Sequence, residues 1–420
     1  MTTEKGGIAG ITGLSTYRIP PGQPAEEVWR YGLGLPLQVS RDQVAIILNI
    51  RRDKMPYVDF EAGSDAVVLS GIPDESSPST ELSRNHREHA HGAGELVIVK
   101  YPTTGGFIPA GSKLQDGSSH PHAGTGFGII HAIGFPLTTL DPRKRLRLPE
   151  DHYEFAEIQQ YRIEGRRLTV ERSDRYQPGT LPAGVSHRGT SFTAAVPKGL
   201  DLLFGMQNLD GTSGVARWVR GDRGWLPAEF HPVSGAGDSI EPSLIRDNGG
   251  SYLFSARGES GDAIHAIRVW GSPDCLDWES MIDDPWMIGR NPVTINRAAD
   301  GTPYIAANPF LRDRHEPYRY GERGVLNIWP LDSSRRKLKD PISVCDGDKH
   351  FGESPSGRGW YIDHPNGQTV RLADGRWRHI LVYRVADRGE VSYGTDPVPV
   401  TGCHMAEVES RGEVTPSWVF

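Results

Sequence analysis

Imidazoles carry the most distinctive chemistry in this sequence. The run His120-Pro-His122-Ala-Gly-Thr-Gly-Phe-Gly128 sets two histidines around a proline and follows them with three glycines. Such glycines let the backbone approach a ligand closely. His131 comes shortly after, His187 opens a similar passage in Ser186-His-Arg-Gly-Thr190, and His364 stands beside Asp363. A neutral imidazole is a general base or acid near pH 7, suited to glycosidic-bond chemistry. His120 and His122, completed by His187 or Asp363, are equally donors for a metal ion. In the plainest reading they hydrogen-bond loops to one another. The spacing alone does not choose among the three.

The elements that must position these residues are strands. Long 3.6-residue periodicity is nearly absent. Short apolar or alternating runs bounded by Gly, Pro, Asp and Asn recur instead, among them Val44–Ile50, Gly128–Phe135, Leu200–Gln207, His265–Trp270 and His379–Val385. Three segments repeat a strand, tight turn, strand plan: Ile245–Phe254 around Asn248-Gly249, Asn296–Ile305 around Asp300-Gly301, and Val370–Leu381 around Asp374-Gly375. Glycine in each turn supplies the positive φ that a tight hairpin needs. Repeated hairpin units of roughly 45–75 residues predict an all-β fold, a six-bladed β-propeller, with seven blades the alternative. No low-complexity linker divides the chain, so residues 1–420 are expected to form one catalytic propeller domain. The polar stretch Asp74–His91 reads as one long surface loop.

Composition agrees with that architecture and narrows the partners. Fifty glycines and 32 prolines in 420 residues exceed ordinary usage and favour turns over helices. Lys and Arg number 46 against 53 Asp and Glu, a net charge of −7, which argues against a phosphate-backbone partner such as nucleic acid. No apolar run suits a signal peptide or a membrane partner, so a cytoplasmic location is expected, although a trimmed secreted chain would read alike. The three cysteines, Cys275, Cys345 and Cys403, make no C-x-x-C pair, and neither a disulfide framework nor a cysteine-rich zinc site is expected. No resident cofactor is indicated; a structural or site cation is the one addition the histidines permit.

Several motifs then fall in a telling order. Ser15-Thr-Tyr-Arg-Ile-Pro20 resembles the Tyr/Phe-Arg-Ile-Pro motif that opens the sialidases, and Arg51-Arg52 followed by Asp59 resembles their first blade. Glu241-Pro-Ser, Gly250 and Phe254-Ser-Ala-Arg257 resemble the family's Glu-Pro, Gly, Arg pattern, and Ser272-Pro-Asp-Cys-Leu-Asp-Trp278 resembles a shortened Asp-box. Arg323-Gly-Val-Leu-Asn-Ile-Trp329 sits where a third arginine is expected. The resemblance implies that Arg18, Arg257 and Arg323 clamp a substrate carboxylate, which guanidinium pairs with bidentately. It also implies an acid/base at Asp59, with Asp53 as substitute, and a nucleophile-assisting role for Glu241. The family's tyrosine nucleophile is missing: the matching stretch is Trp360-Tyr-Ile-Asp-His-Pro-Asn366, with His364 at the equivalent place. Tyr361 lies three residues earlier, an odd offset that on a regular strand faces the other way.

The expected function is therefore a glycoside hydrolase acting at or next to an acidic sugar, with a short oligosaccharide as partner. The histidines feed an alternative. Propellers resembling ulvan lyases cleave uronate glycans by β-elimination with His and Tyr, for which His120, His122 or His187 would be base, Tyr361 acid and Arg257 neutraliser. A non-catalytic glycan-binding propeller is the third reading, since fold does not imply function.

Overall fold

The computed structural model describes residues 11–18, 29–52, 63–71, 81–85, 96–136, 153–188, 191–237, 239–310, 323–332, 334, 336–393, 398–410 and 412–413. Strands dominate, and the described residues hold only two short α-helices, Gly347–Phe351 and Arg388–Tyr393. The strands form six antiparallel sheets, five of four strands and one of five. This is the six-bladed β-propeller expected from the sequence.

Blade one runs from Trp29–Ser40 to Glu81–Asn85, and blade two from Leu96–Ile108 to Arg167–Tyr176. Blade three spans Val196–Lys198 to Gly224–Pro232, and blade four Ser239–Arg246 to Glu279–Asp284. In blade five, Lys337–Leu338 and Ile342–Asp346 both pair with Val325–Asp332. Blade six is composite. Its inner strand Trp360–Arg371 pairs with Trp377–Asp387, that strand with Gly402–Ser410, and the outer position is taken by Ile11–Arg18 from the start of the chain. The ring is thus closed by strand pairing between its two ends.

Apolar faces meet blade to blade. One buried cluster joins blades one and two through Leu35, Leu37, Phe107 and Tyr161, and another joins two and three through Phe127, Phe204, Trp218 and Trp225. The Phe127 and Trp218 rings stack there at 4.0 Å. Comparable clusters lie between three and four, four and five, and five and six. The last joins six to one, with Val44, Ile46 and Leu48 against Val370, Ile380 and Val382. Alternating apolar side chains force this outcome, because a strand with two apolar faces must bury both.

Turn chemistry fits with one shift. The predicted hairpins at Asp300-Gly301 and Asp374-Gly375 carry positive φ at the glycine, 88° and 79°. In blade four it falls on Gly250, one residue beyond the Asn248-Gly249 pair, because all three loops close alike, Asp247 to Ser251, Ala298 to Thr302 and Leu372 to Arg376, with the left-handed glycine in fourth place. The Asp74–His91 stretch is not wholly loop, since Glu81–Asn85 forms blade one's outer strand. Ser272–Trp278 makes its Asp-box turn: Asp274 Oδ1 accepts from the Leu276 and Asp277 amides, and Cys275 takes the left-handed position at φ 72°. All three cysteines are free and buried.

Candidate functional site

Each blade's first and second strands join in a hairpin at one end of the ring. The opposite end gathers the start of the first strand, the end of the second and the start of the third. Most candidate residues lie at this upper end. Glu241 starts blade four's inner strand and Arg257 ends the next, where their side chains pair, Nη1 donating to Oε2 at 2.9 Å. In blade six, Asp363 lies opposite Arg384 in the ladder. Arg384 donates to both oxygens of Asp363, each at 2.8 Å, and Arg323 of blade five donates to the same carboxylate. Asn291 accepts from Arg323 Nε at 2.6 Å. Burial would raise the Asp363 pKa, but the adjacent Arg384, His364 and Arg323 win and hold it well below the usual carboxylate range.

Local backbone explains how these side chains come together. The inner strands of blades four and six carry the same bulge, two residues against one, at Glu241-Pro242 and His364-Pro365. Glu241 and His364 both take left-handed φ, 55° and 51°, which non-glycine residues adopt only at a cost of order 1–3 kcal/mol. Proline tolerates the gap in the ladder because it has no amide hydrogen to satisfy. Blade five places Asn291-Pro292 just before its own inner strand. A residue followed by proline thus supplies a site side chain in three consecutive blades, a signal present in the sequence that motif matching left unused.

Alternation is regular from Tyr361 to Asp363 and is interrupted only at His364. The Tyr361 ring packs under the guanidiniums of Arg323 and Arg384, at 4.6 and 5.3 Å, on the strand face that carries Asp363. The buried His364 ring meets Phe192 edge-on at 4.9 Å, and its Nε2 lies 3.7 Å from Asp363. Burial pushes the His364 pKa down to about 4, opposed by Asp363 and Glu241 and reinforced by Arg384 and Arg323. The imidazole is therefore neutral near pH 7. Its Nδ1, and Nε of Arg257, are buried without a hydrogen-bond partner among the described residues. Buried polar atoms left in this way call for a water or a ligand.

His187 belongs to a second upper-end cluster, between blades two and three. Glu154 Oε2 lies 2.9 Å from His187 Nε2, 3.2 Å from His131 Nε2 and 3.1 Å from Arg188 Nε. Ladder pairing sets this up, because Ile133 opposite Glu154 puts His131 diagonal to it on the same face.

His120 and His122 lie elsewhere. They occupy the blade-two hairpin loop before Thr125, the strand's first residue, which itself lies about 20 Å along the strand from His131. His120 Nε2 bonds the Gly199 carbonyl at 3.0 Å, and His122 packs edge-on against Trp225. The structure therefore separates them from His187 and Asp363, and the metal set combining them is not assembled. A cavity at this lower mouth is lined by Gln38, Arg246, Arg297, Thr369 and His379. Several of those groups tie blades together: Gln38 exchanges bonds with Arg371, and Arg297 donates to Asn248. Arg18 ends its strand at the upper rim, paired with His404. Asp53 and Asp59 lie outside the described residues. Arg384, Asn291, Glu154 and Arg188 escaped the sequence reading; Arg384, inside the apolar run Ile380–Ala386, was the most visible, since an arginine there must have a buried partner.

No protein-family model and no curated protein matches the chain. Solved structures match in shape. The Trypanosoma rangeli sialidase superposes with a TM-score of 0.52 at 10% identity, over 94% of this chain and 59% of its own. The NanB sialidase of Streptococcus pneumoniae gives 0.54 at 10% identity, over 93% and 71%. The fold is the sialidase-type propeller. A Dyadobacter fermentans protein of unknown function matches over its full length, with a TM-score of 0.51 at 12% identity and 94% of this chain covered. Because this chain spans less than two thirds of the trypanosomal enzyme, the likeness concerns the propeller alone. Glu241 and His364 lie on inner strands at the upper end of this propeller, with Arg257 at the end of a second strand and Arg323 just before a third.

Proposed function

We propose that the protein is a glycoside hydrolase that cleaves a bond at or next to an acidic sugar in a short oligosaccharide. One observation carries the reading: the buried His364 lies within electrostatic range of Arg323, Arg384, Asp363 and Glu241, and Glu241 in turn holds Arg257. Three guanidiniums against the two carboxylates Asp363 and Glu241 leave one net positive charge, suited to a single substrate carboxylate. Arg257, with its unpaired Nε, is the binding group; Arg323 is held by Asp363 and orients Tyr361. Glu241 and the neutral His364 are placed to assist at the reacting carbon, and Asp59 is the proposed acid. Trp286, 45% exposed on the loop that also carries Asn291, offers a face for a sugar ring.

A neutral imidazole where the family has its tyrosine favours a second reading, β-elimination from a uronate, with His364 taking the proton and Tyr361 giving one to the leaving oxygen. Both readings are tested by digesting a panel of sialylated and uronate-containing oligosaccharides while following reducing ends and the ultraviolet absorbance of unsaturated uronate. New reducing ends without that absorbance support hydrolysis. Absorbance supports elimination, and silence in both channels with measurable glycan binding points to a binding module.

A further inference from the structure

The cluster between blades two and three has a composition the acidic-sugar reading does not use. We propose that His131, Glu154 and His187 hold one divalent transition-metal ion, bound by two imidazole nitrogens and one carboxylate oxygen. One donor atom from each of His131, Glu154 and His187 lies within 4.8 Å of the other two. The two nitrogens are 3.2 and 2.9 Å from the oxygen. An ion about 2.0–2.2 Å from each donor sets neighbouring donors about 2.8–3.6 Å apart in octahedral or tetrahedral geometry, a range both nitrogen–oxygen distances already meet.

Hydrogen bonding alone accounts for the cluster poorly. A carboxylate oxygen has roughly two lone-pair directions, yet His131, His187 and Arg188 all converge on Oε2. A cation placed among them replaces two N–H contacts with one that both imidazoles and the carboxylate share. The Arg188 fork also reaches the other oxygen, Nη2 to Oε1 at 3.3 Å, and so fixes the carboxylate from outside in the way outer-shell groups orient metal ligands.

Two imidazoles and a carboxylate suit zinc, manganese, iron or cobalt rather than calcium or magnesium. Three protein ligands leave at least one position for water or a sugar oxygen. The ligands come from the second strand of blade two, its third strand, and the loop leading to blade three. A bound ion would therefore pin that loop, which runs on to Phe192 against His364.

The test is a metal titration of the full-length chain, stripped with chelator and exchanged into clean buffer. Zn2+ binding is read by competition with a chromophoric chelator, Co2+ by its visible spectrum, and Mn2+ by equilibrium dialysis. The expected result is one equivalent of at least one of these ions, weakened at least tenfold in Glu154→Gln and His187→Gln. Arg188→Gln should weaken binding less than either ligand variant, because it removes an orienting contact and not a ligand. His120→Gln, at the other mouth, should not change binding. If none of the three ions binds, or if His187→Gln and Glu154→Gln bind as the parent does, the cluster is a hydrogen-bonded relay and the proposal is overturned. Because glycan cleavage is not the readout, a negative result leaves the hydrolase reading untouched.

Discussion

A carboxylate with no solvent exposure stays an anion only while cations surround it, and Asp363 has two. Removing one member of such a group strands the others, typically at about 3–5 kcal/mol. Asp363→Asn should therefore lower stability by that order, read as the midpoint of denaturant or thermal unfolding. Trp286 makes a contrasting prediction. Its exposed ring lies against His265 and Phe310, outside the buried ion cluster. Trp286→Ala should raise KM about tenfold with kcat unchanged, the pattern of a lost ground-state contact, on the order of 1–1.5 kcal/mol. His379 gives a pH signature. Burial, helped by the Arg297 charge, pushes its pKa from 6.5 down to about 3. Its neutral form is the folded one, so its contribution is complete above about 6.5 and drains away as pH falls toward 3. Unfolding free energy measured across that window should fall less steeply in His379→Gln than in the parent.

At the scale of elements, the two X-Pro bulges decide where Glu241 and His364 sit. Asparagine tolerates left-handed φ better than most residues, so His364→Asn should keep the bulge, and with it the circular dichroism spectrum and unfolding midpoint, to within about 1 kcal/mol. A β-branched residue such as valine at the same position should cost more, since its Cβ is crowded in that region. The elements also show what could be read in advance. The hairpins of blades four to six announce themselves through Asn-Gly or Asp-Gly and alternating apolar residues. Blade one's outer strand, Glu-Leu-Ser-Arg-Asn, has no alternation to find. Glu241 and Arg257 were legible because their motif spacing spans a single hairpin. The His131, Glu154 and His187 cluster was not, because strand register and an interblade loop bring it together, and neither leaves a fixed spacing.

The whole molecule is a ring held by six apolar interfaces and closed by one borrowed strand. Deleting residues 1–18 would strip Ile11–Arg18 from Gly402–Ser410 and expose an unpaired strand edge. The truncated chain should unfold at lower temperature and self-associate, as light scattering would detect. Closure matters for the site, since blade six carries Asp363, His364 and Arg384 and depends on that strand for its outer edge. The claim at the centre of this picture is that Glu241 and His364 form one reaction centre at the upper mouth. The most direct measurement is the initial cleavage rate on one acidic oligosaccharide for the parent, Glu241→Gln, His364→Asn and, as a lower-mouth control, His122→Asn. The expected result is a loss of about 10²–10⁴-fold in the first two and parent-like cleavage in the control. Cleavage that survives in both upper-mouth variants, or falls only in His122→Asn, would contradict it.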